Sequence, residues 1–180
     1  RRGDPQRAAR PNCSGKPTRA LAHRGRPGWD RDSSPQTGHP AQSGALETVA
    51  TITGLEVTAI PTGVDGCGIV CYATPVTVAA STYALLPDLL PEITEAMRAH
   101  PLLVEGPDWL DTILMENIAG TTSKGGAEGL GGVPLPDGRG PAGKVIDGAG
   151  RAMEPAAVAL LDAVPGTDAV PEPVRRTGRP

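Results

Sequence analysis

An α/β (α+β) fold is what this sequence predicts, on three observations. Apolar residues recur at helical spacing in four separate segments, and extended pieces lie between them. The 180 residues suffice for one ordinary domain or for a large piece of a two-domain protein. In chain order, the first helix is expected at Gln42 to Thr53, with Ala45, Leu46, Val49 and Ile52 on one face and Gly54 as its stop. Leu55 to Ile60 and Gly68 to Ala73 read as extended. Val76 to Leu86 crowds Val and Thr beside Ala and Leu, and the balance favours helix. Pro91 to His100 reads as helix, because Pro91 suits a first turn, Ile93, Ala96 and Met97 form an apolar face, and Pro101 ends it. Pro107 to Ile118 follows, with Trp109, Leu110, Ile113, Leu114 and Asn117 on the packing side and Gly120 beyond its end. A hairpin is expected from Gly129 to Asp147, turning at Pro136-Asp137-Gly138. Pro134 and Pro141 cannot donate to a ladder and the glycines weaken a strand, so this should be an edge pair or partly frayed. Glu154 to Val164 is the last helix, with Val158, Leu160 and Leu161 inward and Pro165-Gly166 closing it. Thr167 to Pro180 lacks periodicity, so residues 166–180 read as a disordered tail.

Gly 24 and Pro 20 bring the chain near the level at which low complexity competes with folding, yet the patterned aliphatic runs from Ala45 to Val164 argue for a core. Phe is absent, and the aromatics are Trp29, Tyr72, Tyr83 and Trp109. The core must therefore be aliphatic, with less area buried per side chain and marginal stability. No run approaches the roughly 18 apolar residues that span a bilayer, and no charged segment leads into an apolar one as in a secretion signal. The expectation is a cytoplasmic protein cut at its front, without a membrane. Arg1 to Arg31 holds eight Arg and one Lys against Asp4 and Asp30, and residues 1–10 form a basic arm. Only Trp29 could stack on a base and no nucleic-acid module follows, so a solvated surface is favoured over nucleic-acid binding.

Three cysteines, an odd number, argue against a disulfide framework. Cys67 and Cys71 could begin a zinc site, but no matching second pair follows, and buried free cysteine is a common alternative. Ser14-Gly15-Lys16 lacks the GxxxxGK frame and is followed by Pro17, which excludes a phosphate loop. A lysine beside a serine or cysteine activates a nucleophile only when it is desolvated and neutral. Lys124-Gly125-Gly126-Ala127-Glu128-Gly129 could hold one charge where backbone approaches a ligand, or could be a flexible linker. A cysteine nucleophile at Cys13 or Cys67 is disfavoured, since no His lies at a spacing that would orient a base.

Taken in order, these segments resemble the bacterial type II L-asparaginase family. Asn12-Cys13-Ser14-Gly15-Lys16 and Gly38-His39-Pro40-Ala41-Gln42 are similar to its first signature, and Ile60-Pro61-Thr62-Gly63-Val64-Asp65-Gly66-Cys67-Gly68 to its second. Ala96 to Pro101, Lys124 to Gly129 and Asp147 to Ala152 continue the resemblance, which spans Pro11 to Val164. The resemblance implies a fold like that of serine β-lactamases and glutaminases, here incomplete on its N-terminal side, with residues 11–165 forming the C-terminal part. It implies an amidohydrolase of asparagine catabolism that turns L-asparagine into L-aspartate and ammonia, working as a homodimer. It further implies zinc held by Cys13, Lys16 and Cys67, a substrate contact at Asp65, and a catalytic role for Lys124 against an active-site serine. The sequence departs from the family at Pro17, at Gly132 and Pro134, in the length between Tyr83 and Met97, and at Ile146, where the family carries an acid. The family's Ser-x-x-Lys nucleophile would precede Arg1, so these 180 residues are expected to be inactive alone, with Lys124 lacking a partner. The alternative is a non-catalytic remnant or interaction module with a basic N-terminal arm.

Overall fold

The computed structural model describes residues 38–65, 69–166 and 170–177. They divide between Pro75 and Val76 into two compact units. The first opens with helix α1, Pro40–Thr53, which starts two residues before the expected Gln42 because His39 caps it. His39 Nδ1 accepts the Ala41 N–H at 3.1 Å, and Pro40 occupies a first-turn position where no donor is needed. Gly54, at φ 68°, ends the helix as expected. Gln42 and Ala50 are its deepest residues, while Ala45, Leu46, Val49 and Ile52 are half-buried.

The stretch expected to be extended from Leu55 to Ile60 instead closes a 3-10 turn at Val57–Ala59, where Ala59 N–H donates to Glu56 O at 2.8 Å. Strands β1, Thr62–Val64, and β2, Val70–Tyr72, then pair antiparallel, with Gly63 opposite Cys71. The Tyr72 hydroxyl donates to Gln42 O at 3.3 Å, tying this hairpin to α1.

In the second unit, α2, Val76–Leu89, runs past the expected Leu86 and accommodates Pro87 inside. Helix α3 spans Pro91–Ala99, α4 spans Pro101–Val104 and α5 spans Leu110–Asn117. The buried side of α3 is Thr94, not the expected Ile93, which is exposed. Thr94 Oγ1 donates back to Leu90 O and Pro91 O, so its hydroxyl is satisfied inside its own helix and can leave water. Helix α5 begins three residues later than expected, since Gly106 and Asp108 take positive φ and form a turn before it. Trp109 is consequently exposed rather than packed.

Strands β3, Lys124–Gly126, β4, Leu130–Gly132, and β5, Ala142–Lys144, form one antiparallel sheet in the order β3-β4-β5. The Pro136-Asp137-Gly138 turn is where the sequence places it, with Gly138 N–H donating to Leu135 O at 3.2 Å. The hairpin lies at one edge of the sheet, with β5 outermost, while β4 is central and 131–135 are buried. Glycine makes this possible, because consecutive strand residues face opposite sides. A Cβ on Gly131 would meet Met153, whereas one on Gly132 would meet the Tyr83 ring. Helix α6, Met153–Ala163, therefore lies on one face of the sheet and α2 on the other.

The core is aliphatic, as the composition requires: Leu114, Val133, Leu135, Leu161, Val170 and Val174 cluster together. Val170 and Val174 belong to the segment expected to be a disordered tail. There, α7, Glu172–Thr177, packs on α5 and α6. Arg175 fastens it, donating to both Asp162 carboxylate oxygens at 2.6 and 2.8 Å and to Val170 O at 3.0 Å. No helix of the described residues is long and apolar enough to cross a membrane.

Candidate functional site

Lys124 opens strand β3, and its half-exposed side chain reaches back to Asp111 on the first turn of α5, Nζ to Oδ2 at 3.5 Å. This carboxylate is an ion-pair partner for Lys124, distinct from the active-site serine that the resemblance places against it. Asp111 is 2 % exposed, and burying a carboxylate is costly unless several donors meet it. Ser123 Oγ donates to Oδ1 at 2.6 Å and Gly125 N–H to Oδ2 at 2.6 Å. The Lys124-Gly125-Gly126-Ala127-Glu128-Gly129 segment is therefore neither linker nor loop. It is an edge strand that runs into a 3-10 turn, held by one buried carboxylate.

Further groups complete the surroundings. The Tyr83 hydroxyl donates to Lys124 O at 2.9 Å, and burial, with Asp111 nearby, pushes its pKa up to about 12. It stays a donor throughout the ordinary pH range. Glu105 Oε2 accepts the Asp111 N–H at 3.3 Å, satisfying one of the unpaired donors at the start of α5. Burial and then the Asp111 charge push the Glu105 carboxyl up to about 7. Thr112 Oγ1 donates to Gly106 O at 2.7 Å and to Pro101 O at 3.2 Å, which fixes the turn carrying Glu105. Arg98 donates to Thr122 Oγ1 at 3.2 Å, one residue before Ser123.

The elevated Glu105 pKa has a stability consequence with a definite sign. The folded state keeps a proton that the unfolded chain releases near its ordinary value of 4.5. The contribution is full below about pH 4.5 and is lost as the pH rises through about 7. After allowance for solvent screening of a half-exposed group, wild type should lose about 1 kcal/mol against Glu105→Gln between these limits. Urea midpoints at pH 5 and pH 8 measure it, and equal midpoint shifts in both proteins would count against the assignment.

Ser123 is no nucleophile in this arrangement. Its hydroxyl is 2 % exposed and donated to Asp111. The pocket beside it, bounded by Asp111, Gly125, Met153 and Leu161, has about 20 Å³, room for one water.

Asp65 lies in the first unit, at the end of β1. Its N–H donates to Ile69 O at 2.9 Å and its Oδ1 accepts the Ile69 N–H at 3.0 Å, so the carboxylate is held against the Ile69 backbone. Cys13, Lys16 and Cys67 lie outside the described residues, as does the arm of residues 1–10. Among the described residues, no three His, Cys, Asp or Glu side chains gather as a metal site, and Cys71 is exposed on β2. Ile146, where an acid was expected, is fully exposed, and its neighbour Asp147 pairs with Arg151 at 2.8 Å.

Reading the sequence alone missed Asp111, Ser123, Tyr83 and Glu105. One signal was present: Asp111 stands three residues before Leu114, a charge just beyond the arc read as apolar. A family model for L-asparaginase II matches residues 1–177, well beyond the span from Pro11 to Val164 on which the resemblance was read. No curated protein matches the chain.

Proposed function

Because this chain belongs to the L-asparaginase II family, we propose that it forms part of an amidohydrolase that converts L-asparagine into L-aspartate and ammonia. The observation that supports this reading is the presentation of Lys124. The family's lysine-glycine-glycine segment is an edge strand here, with a half-exposed ammonium anchored at its root by a buried carboxylate. A cation so placed, next to solvent but limited in its motion, suits donation of a hydrogen bond or proton to a reacting oxygen. The antiparallel sheet with helices on both faces is in keeping with a serine β-lactamase or glutaminase-like fold.

The 180 residues contain no Ser-x-x-Lys segment, and Ser123 is buried. The acylated serine is therefore proposed to come from outside these residues, and the isolated chain to release no ammonia. Asp65 is assigned to the substrate's amino group. Its clamp on Ile69 orients the carboxylate before substrate arrives.

Cys13, Lys16 and Cys67 are the residues that would hold zinc. Two thiols and an amine are a fitting donor set for it, with one position left open. When bound, such an ion supplies a Lewis acid. Zinc content should fall when Cys13 and Cys67 are both changed to serine, as metal analysis of the purified protein would show. The family enzyme is taken to be a cytoplasmic homodimer.

Ammonia release from L-asparagine, by a longer gene product that includes these residues, is the direct test. Lys124→Ala should lower kcat by about 100-fold or more, the scale of a lost acid–base group. Unchanged kcat in Lys124→Ala would overturn the role of Lys124. Full activity from the 180 residues alone would overturn the external serine.

A further inference from the structure

The carboxyl cluster behind Lys124 carries an inference that rests on the role just proposed for that lysine but has its own readout. Six groups converge there: Asp111, Ser123, Gly125, Lys124, Glu105 and Tyr83. Asp111 on α5 takes hydrogen bonds from Ser123 and Gly125 and lies 3.5 Å from Lys124 Nζ. Glu105, on the turn before α5, takes the Asp111 N–H. Tyr83 on α2 holds the Lys124 carbonyl from the opposite face of the sheet.

We propose that Glu105 and Asp111 act as a positioning pair, in which the protonation state of Glu105 sets how firmly Asp111 holds the Lys124 ammonium. With Glu105 protonated, its O–H can donate to Asp111, and the Asp111 carboxylate is the one negative charge facing Lys124. Asp111 then accepts from Ser123, Gly125 and the Glu105 O–H, while Lys124, whose Nζ donates to Gly125 O, faces it as an ion pair. When Glu105 ionises, that donor disappears and a second negative charge faces the ammonium. Lys124 is then drawn back toward the pair and reacts less.

The charged and titratable groups that face the pair are few: Lys124 on β3 and the Tyr83 hydroxyl on α2, with Arg98 on α3 turned to Thr122. Tyr83 does not change charge near neutrality, since burial holds it up at about 12. The ordinary Glu105 carboxyl would be fully ionised well below neutrality, but desolvation and Asp111 bring it to about 7. These two carboxyls are coupled, so the transition belongs to the pair.

Competitive labelling with acetic anhydride tests this without asparagine. The reactivity of Lys124 is read by mass spectrometry from pH 5 to pH 9 and normalised to that of Lys144, an exposed lysine that donates to Glu128 O and Val145 O. In wild type the normalised Lys124 reactivity should fall on the order of twofold through pH 7, as expected for one added charge at close range. In Glu105→Gln, which keeps the shape and loses the charge, the profile should be flat. Asp111→Asn should move the step to lower pH without abolishing it, because the Asp111 charge only adds to burial in raising Glu105. A step near pH 7 that persists in Glu105→Gln overturns the proposal, as does a flat wild-type profile. Assay of asparagine hydrolysis in the longer product separates the two readings. Hydrolysis without the labelling step fails the positioning pair, and the labelling step without hydrolysis supports the pair while failing the function proposed above.

Discussion

Gly132→Ala should destabilise the second unit by about 3 kcal/mol, near the upper end of overpacking costs. The added Cβ would stand between 2.1 and 2.3 Å from three ring carbons of Tyr83, distances that no rotamer adjustment of a methyl can relieve. Either the ring leaves its place on β4 or the central strand shifts from α2. Both outcomes also break the Tyr83 hydroxyl's bond to Lys124 O. A thermal melt monitored by circular dichroism measures the loss, and Tyr83→Ala supplies the control. The alanine at 83 removes the obstruction, so the double variant should be more stable than the sum of the two single changes predicts, with a coupling of about 1–3 kcal/mol. A Gly132→Ala protein that melts with wild type would show that the ring and strand are not packed as described.

Leu114→Ala should cost about 3–4 kcal/mol. Leu114 is fully buried on α5 and belongs to the cluster that joins Val133, Leu135 and Leu161 to Val170 and Val174. In a core built without phenylalanine, no large ring stands ready to settle into the cavity. The deleted methyls then remain as empty space, and small domains have only about 5–15 kcal/mol to lose. Urea unfolding should show a lower midpoint with an unchanged slope. A shift of less than about 1 kcal/mol would mean that the cluster collapses around the alanine.

The sequence made some of this legible through punctuation. Helices α1 and α6 were readable because Gly54 and Pro165-Gly166 act through backbone geometry, which neighbours cannot override. Strand β3 was hidden for the opposite reason. Lys124-Gly125-Gly126 has poor strand propensity, and only pairing with β4 and the grip of Asp111 make it one. Helix α7 was hidden too, since Pro171 and Pro173 flank Glu172 and two valines supply the contact that holds it. The family motifs marked Lys124 directly. They could not mark Asp111, Ser123 or Glu105, whose importance lies in burial and in distances set by the tertiary fold.

Helix α7 also bears on how quickly the protein assembles and how it fails. Six residues cannot sustain a helix in water, so α7 exists only while Val170 and Val174 are seated. Its partner Leu114 is distant in the chain, which makes this contact a late and entropically expensive closure during folding. When α7 lifts, it opens a stripe of Leu114 and Leu161 to solvent and offers the Arg175-Arg176 bonds to trypsin. The rate of cleavage there, followed against urea, would report the local opening that precedes global unfolding and aggregation.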